Sequence, residues 1–204
     1  LAWLSGRAQL PALRPVALAV AATVLVRLVL NRFVTEYAWG DAPLLNGLWV
    51  AYAIPAASFA VTAWLLRRER DDQYVAALEA AAALPARLFV LLQIRHGVQA
   101  GKLFHQRWPF AEAALDAAAL SLMAVALHVV AHRWARPVLA IATRVAAFGA
   151  LGLGVLLLVL NPWVENVFVG AWPVVNLLLP AYAVPAVAAA WAVLRAPELQ
   201  DQPG

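Results

Sequence analysis

The sequence predicts an all-α fold, a polytopic transmembrane bundle of six helices in which one helix-loop-helix hairpin is written twice as a parallel repeat. The first observation behind this is composition. Of 204 residues, 65% are hydrophobic and 13% charged, and the mean hydropathy is +0.78, more apolar surface than a soluble domain of this length carries. The second is internal likeness. Aligned without a gap at an offset of 130 residues, positions 29–56 and 159–186 agree at 13 of 28, including Asn31/Asn161, Gly40/Gly170, Pro43/Pro173, Asn46/Asn176, Tyr52/Tyr182 and Pro55/Pro185. Alanine matches are expected by chance in so alanine-rich a chain. Asn, Gly, Pro and Tyr held in fixed register point instead to duplication.

A hydrocarbon core about 30 Å thick takes roughly 20 apolar residues per helix. Six stretches answer to that: 15–30, 44–66, 75–94, 110–131, 138–160 and 174–194. Arg27 interrupts the first, whose repeat partner is the strongly apolar fifth. Asn31 and Asn161 are expected to close the first and fifth helices, because Asn tolerates the left-handed conformation that satisfies last-turn carbonyls. Pro43 and Pro173 are expected in the first turns of the second and sixth, where a missing N–H is no loss. Asn46 and Asn176, one turn further on, are expected to bind freed backbone groups of the loops. Pro55 and Pro185 fall inside those helices, remove a hydrogen bond and invite kinks. The expected organisation is one transmembrane module over 1–204, with repeat copies at 14–66 and 138–196 and an intervening hairpin at 75–134. Beginning at Leu1, it reads as part of a longer polypeptide with no signal peptide to remove.

Orientation follows from Lys and Arg around short loops. One side collects Arg7, Arg14, Arg67, Arg68, Arg70, Arg133, Arg136 and Arg195, and the other Arg32, Arg95, Lys102 and Arg107. This predicts both termini inside and, with four helices in each period of 130 residues, copies of the same orientation. The basic residues separate apolar runs rather than forming a patch, so the net charge of +4 is topology signal and no nucleic-acid partner is expected. Without cysteine there is no disulfide, thiolate metal site or thiol chemistry.

Three groups of polar residues are candidates for function. The paired loops carry aromatic residues suited to the headgroup level, together with the acids Glu36, Asp41 and Glu165, which are out of register between copies. The connection after the third helix holds Arg95, His96, Lys102, His105 and Arg107 on the face where positive charge is disfavoured. Phosphate or another anionic headgroup is its natural partner, with Arg27 or Arg32 contributing. Arg27 stands out because Leu157 occupies its place in the repeat. His96, His105 and Glu112 match no regular ligand spacing, so no metal and no cofactor is expected. Within the membrane, Arg87 and Asp116 lie at matching depths, about 10 and 9 Å below their helix ends at 1.5 Å per residue. Glu79 and His128 are likewise level, so Arg87 with Asp116 and Glu79 with His128 are expected to pair as structural ties.

The run Leu88-Phe89-Val90-Leu91-Leu92-Gln93-Ile94-Arg95-His96, with Asn161-Pro162-Trp163, Gly170-Ala171-Trp172-Pro173-Val174-Val175-Asn176-Leu177-Leu178-Leu179 and Ala181-Tyr182-Ala183-Val184-Pro185-Ala186, resembles the large multi-pass bacterial membrane proteins grouped as domain of unknown function 2339. Gln93 stands where that resemblance leads one to expect Glu. The resemblance implies a bacterial inner-membrane protein with repeated hairpins and more helices than six. It implies no activity and no catalytic residue.

Two functional readings compete. The first is a non-enzymatic module serving envelope organisation or transport, with membrane lipids, further subunits or the rest of a longer chain as partners. The second is a membrane enzyme for a lipid-linked phosphorylated substrate, with Arg95, His96, Lys102, His105 and Arg107 on the anion and Glu36 or Asp41 as base. An ion channel is disfavoured, since no helix carries a polar stripe.

Overall fold

The computed structural model describes residues 13–30, 39–101, 103, 108–162, 168–172 and 176–200. Among them all regular structure is helical, in six elements. These are α1 (Leu13–Leu30), α2 (Trp49–Arg67), α3 (Gln73–Val98), α4 (Phe110–Trp134), α5 (Pro137–Val159) and α6, which begins as Leu179–Ala183 and continues as Val184–Gln200. Four of them, α2 to α5, are long and apolar enough to cross a membrane, while the apolar part of α6, Leu179–Arg195, is shorter. The chain divides into two compact units, Leu1–Phe104 and His105–Gly204.

In the first unit, Asp72 fixes the start of α3. Its backbone is extended, and its side chain accepts hydrogen bonds from the N–H groups of Tyr74 and Val75, which satisfies donors that a helix start leaves orphaned. The core joins Ala21 of α1, Phe59, Ala63 and Leu66 of α2, and Val75, Leu78, Ala81 and Ala82 of α3. In lipid such a core is held by close packing rather than by release of water, so small residues at the contacts let the helices approach. Pro85 lies buried inside α3, a position the sequence reading passed over.

The second unit turns from α4 to α5 on two residues. Ala135 takes the left-handed conformation at φ 49, and the N–H groups of Ala135 and Arg136 close on carbonyls of the last turn of α4. Pro137 then opens α5 where its missing donor is harmless. The core is Phe110, Ala113, Ala114 and Ala117 of α4 against Leu157 of α5 and Ala181 of α6.

Both α2 and α6 open with a π turn, Trp49–Ala53 and Leu179–Ala183, closed by Ile54 N–H on Trp49 O and Val184 N–H on Leu179 O. Pro55 and Pro185 follow the closing residue each time. The irregularity expected of these prolines is therefore a widened turn, whose extra residue moves the preceding carbonyls away from the ring. Two expected boundaries need correction. Pro43 lies in a bend before α2 rather than in its first turn, and helix begins at Leu48, not at 44. The reason is that Asn46 caps the helix from a position the sequence reading had placed inside it. Pro173 lies outside the described residues.

Candidate functional site

The densest polar constellation among the described residues is at the end of the first unit where the loop 39–48 meets the last turns of α3. Gly40, at φ +84, lets the chain reverse. Gly47 N–H donates to Trp39 O at 2.7 Å and closes the loop. Asn46 Oδ1 accepts Leu48 N–H at 3.0 Å, while its Nδ2 donates to Gln93 Oε1 at 2.7 Å and lies 3.3 Å from His96 Nδ1. Gln93 Nε2 donates to Leu44 O at 2.9 Å, and His96 Nε2 lies 2.8 Å from Gly40 O. Two residues of α3, one turn apart, thus stitch down three points of the loop. Below them Leu48, Tyr52 and Leu103 form a small buried cluster packed by Trp39, Leu88 and Leu92.

The corresponding loop of the second unit repeats the backbone geometry at a spacing of 130. Gly170 has φ +119, Leu177 N–H donates to Val169 O at 2.9 Å, Leu178 N–H to Asn176 Oδ1 at 2.9 Å and Leu179 N–H to Asn176 O at 3.2 Å. What braces it differs. Val169, Leu177, Leu178 and Tyr182 pack on the apolar cluster of Phe110, Ala113 and Leu157, and the Tyr182 hydroxyl donates to Leu157 O at 2.7 Å.

Of the residues expected to bind an anion, Arg32, Lys102, His105 and Arg107 lie outside the described residues, as does the candidate base Glu36. Arg27 is in the last turn of α1 and exposed. Arg95 is partly buried, its Nε donating to Leu103 O. His96 is 1% exposed, with Nδ1 3.3 Å from Asn46 Nδ2 and Nε2 2.8 Å from Gly40 O. Asp41 is exposed, its Oδ1 3.9 Å from the point where a Cβ on Gly101 would stand, and His96 Nε2 is 3.7 Å from the same point.

The residues expected to pair within the membrane divide between the units, Glu79 and Arg87 on α3 and Asp116 and His128 on α4. Asp116 and its neighbour one turn earlier, Glu112, are both buried. His128 Nε2 is buried without a hydrogen-bond partner, and the ring stands edge-to-face with Trp191 at 6.0 Å and 89°, geometry in which an N–H can rest on an aromatic face. His128 also lines a cavity of about 410 Å³ between α4, α5 and α6. That wall is mainly small and apolar, with Ala124, Ala147, Ala150 and Gly154, and holds none of Asp41, Arg95 and His96.

Sequence reasoning missed a second polar centre. Arg14, counted only as a topological charge, is buried, with Nη1 donating to Asp72 Oδ2 at 2.5 Å and to Arg70 O at 3.2 Å, and Nη2 to Leu66 O at 3.2 Å and Glu69 Oε2 at 3.3 Å. One guanidinium thus gathers the end of α2 and the cap of α3. Desolvation pushes the Asp72 carboxyl up, but hydrogen bonds from Val75 N–H and Arg14, with the Arg14 charge, outweigh it and hold Asp72 below the usual carboxylate range. Glu69, Arg70 and Asp72 beside one short turn, with an Arg 52 to 58 residues earlier, were the available signal.

The chain belongs to the family described as Predicted membrane protein (DUF2339), whose match spans residues 1–204. No curated protein and no solved structure matches it significantly.

Proposed function

We propose that this member of the family is a non-enzymatic module of a bacterial inner membrane, built on two parallel copies of one hairpin with both termini cytoplasmic, and serving envelope organisation or transport. The observation that carries the reading is the pair of loops with matching hydrogen bonds at an offset of 130 residues, Gly47 to Trp39 and Leu177 to Val169, each capped by its own Asn and each leading into a π turn. Shared geometry at matching Gly, Asn, Tyr and Pro positions is what duplication leaves behind. A structural role is favoured over catalysis because the amides and the imidazole at the first loop are spent on backbone groups and on one another. Anionic headgroups are the proposed partners of the connection from Arg95 to Arg107, since guanidinium groups bind phosphate with charge-assisted, bidentate hydrogen bonds.

Thermal unfolding of Asn46→Ala and Asn176→Ala in detergent tests the structural reading. Loss of a cap costs about 1 kcal/mol, so both variants are expected to melt several degrees below the parent. A parent-like melting temperature for either would mean that its loop is not the structural element proposed. Retention of anionic lipid through purification by Arg95→Gln/Arg107→Gln tests the headgroup assignment separately, with a folded protein of unchanged lipid content as the outcome against it.

A further inference from the structure

We propose that the end of α2 is a headgroup site for an anionic phospholipid, with the Arg68 guanidinium as the group that takes the phosphate. The site lies apart from the connection after α3 and does not depend on how that connection is used. α2 is apolar over a length sufficient to cross a membrane and ends at Arg67. Trp64, in its last turn, is 52% exposed, and exposed Trp favours the level at which a helix passes from hydrocarbon to headgroups. Arg68 follows one turn later on the same face, with its Cζ 3.6 Å from the centre of the Trp64 ring. The ring covers one face of the guanidinium, whereas all the N–H groups lie in the guanidinium plane and are left open at its edge. Stacking therefore holds a fork of donors at headgroup height, and such a fork binds phosphate through two parallel hydrogen bonds. Towards the middle of α2 the same face continues through Val61 and Ile54, both exposed, which offers the acyl chains an apolar surface.

The buried Arg14 centre decides the charge of this end. The turn from α2 to α3 brings three arginines, Arg67, Arg68 and Arg70, and three acids, Glu69, Asp71 and Asp72, which by themselves would cancel. Arg14 engages Glu69 Oε2 at 3.3 Å and Asp72 Oδ2 at 2.5 Å. One acid, Asp71, then stands beside three arginines, and a basic cluster next to a membrane helix attracts anionic lipid. A zwitterionic lipid gains less, because its ammonium group enters the same positive field. The occupant is a lipid rather than an acidic protein segment because the phosphate fork rests on a ring at the lipid interface, with exposed apolar residues following it along the helix. The end of α4 carries the same two residue types as Arg133 and Trp134, both exposed. Adjacent helix positions do not face each other, so that pair lacks the spacing on which the stack at α2 depends.

The experiment is fluorine NMR on the full chain labelled with fluorotryptophan, in phosphatidylcholine nanodiscs with rising mole fractions of phosphatidylglycerol. Trp64→Phe identifies the Trp64 signal, which is expected to move with phosphatidylglycerol and to saturate. Removing one cation near an anionic surface weakens attraction about fivefold, so Arg70→Gln should raise the half-saturating mole fraction by that factor or less. Arg68→Gln loses the stacked fork as well as the charge, and should raise it by about tenfold or more or abolish the response. A Trp64 signal indifferent to phosphatidylglycerol in the parent would overturn the site. Equal effects of Arg68→Gln and Arg70→Gln would reduce it to general surface charge. Inorganic phosphate at matched ionic strength is the remaining arm: if it moves the signal to the same position in pure phosphatidylcholine discs, the fork takes free phosphate and the lipid assignment falls.

Discussion

The two loops compare a backbone with its supports. Both loops have a glycine at positive φ, Gly40 and Gly170, an asparagine, Asn46 or Asn176, that accepts the N–H two residues on, and a π turn before Pro55 or Pro185. Among the described residues, the loop of the first unit is tied down by amide and imidazole groups from α3, and that of the second packs on apolar residues of α4 and α5 and is bonded through the Tyr182 hydroxyl. The lesson is that the matching residues encode backbone geometry, while the residues that hold it in place come from neighbouring helices and differ. Polar bracing is directional and breaks when one atom changes, whereas apolar bracing loses strength gradually with lost contact.

The largest expected effect tests this difference away from the loops. Arg14 and Arg144 stand 130 residues apart, but Arg14 is buried in four hydrogen bonds and Arg144 is exposed. Arg14→Ala leaves two carboxylates without their cation. The expected loss is about 3 kcal/mol, the low end for a broken buried pair, because Glu69 keeps 32% of its side-chain surface exposed. Arg144→Ala should cost no stability, because an exposed Arg inside an apolar helix of membrane-spanning length is itself unfavourable. Equal losses in denaturant titrations of the two variants would erase the contrast between the two arginines.

A smaller effect is expected within the loops. Gln93→Leu keeps much of the side chain's volume but removes the acceptor for Asn46 and the donor to Leu44 O. Leaving partly buried polar groups unpaired costs about 1 to 3 kcal/mol, and exchange protection should fall over 39–48 and hold over 176–182. Tyr182→Phe is the matching test of the second unit. It deletes one hydrogen bond to Leu157 O and nothing of the ring's packing, for which about 1 kcal/mol is expected. If Tyr182→Phe proves the more damaging of the two, the second loop depends on this hydroxyl contact more than on its apolar support.

How far this was legible in the sequence differs by element. The six helices were, because period and length suffice for them. So was the role of Asn46 and Asn176 on loop backbone, since rare residues in register mark geometry. The start of α2 was not: an apolar run from Leu44 looks continuous, and only the cap at Asn46 shows that Leu44 and Leu45 belong to the loop. Nor was the burial of His96, because whether a ring is buried depends on which loop folds over it. Arg14 was read as a topological charge because its partners lie 52 to 58 residues away, beyond the reach of local pattern.

The smallest expected effect concerns acid, and it lies at the Arg14 end of the first unit. Asp72 is held below the usual carboxylate range, as hydrogen bonds from Val75 and Arg14 together with the Arg14 charge outweigh desolvation. A carboxyl group with a lowered folded-state pKa stabilises the fold fully above its unfolded value, about 3.9, and that contribution is lost as pH falls through the folded value. Stability should therefore decline below about pH 4 in the parent, and less steeply in Asp72→Asn, which keeps an oxygen for Val75 but has no charge to lose. Denaturant midpoints from pH 7 to pH 3 measure the difference. If Asp72→Asn follows the parent throughout, the acid sensitivity of this end comes from another carboxylate, and Glu69, the second partner of Arg14, is the next to replace.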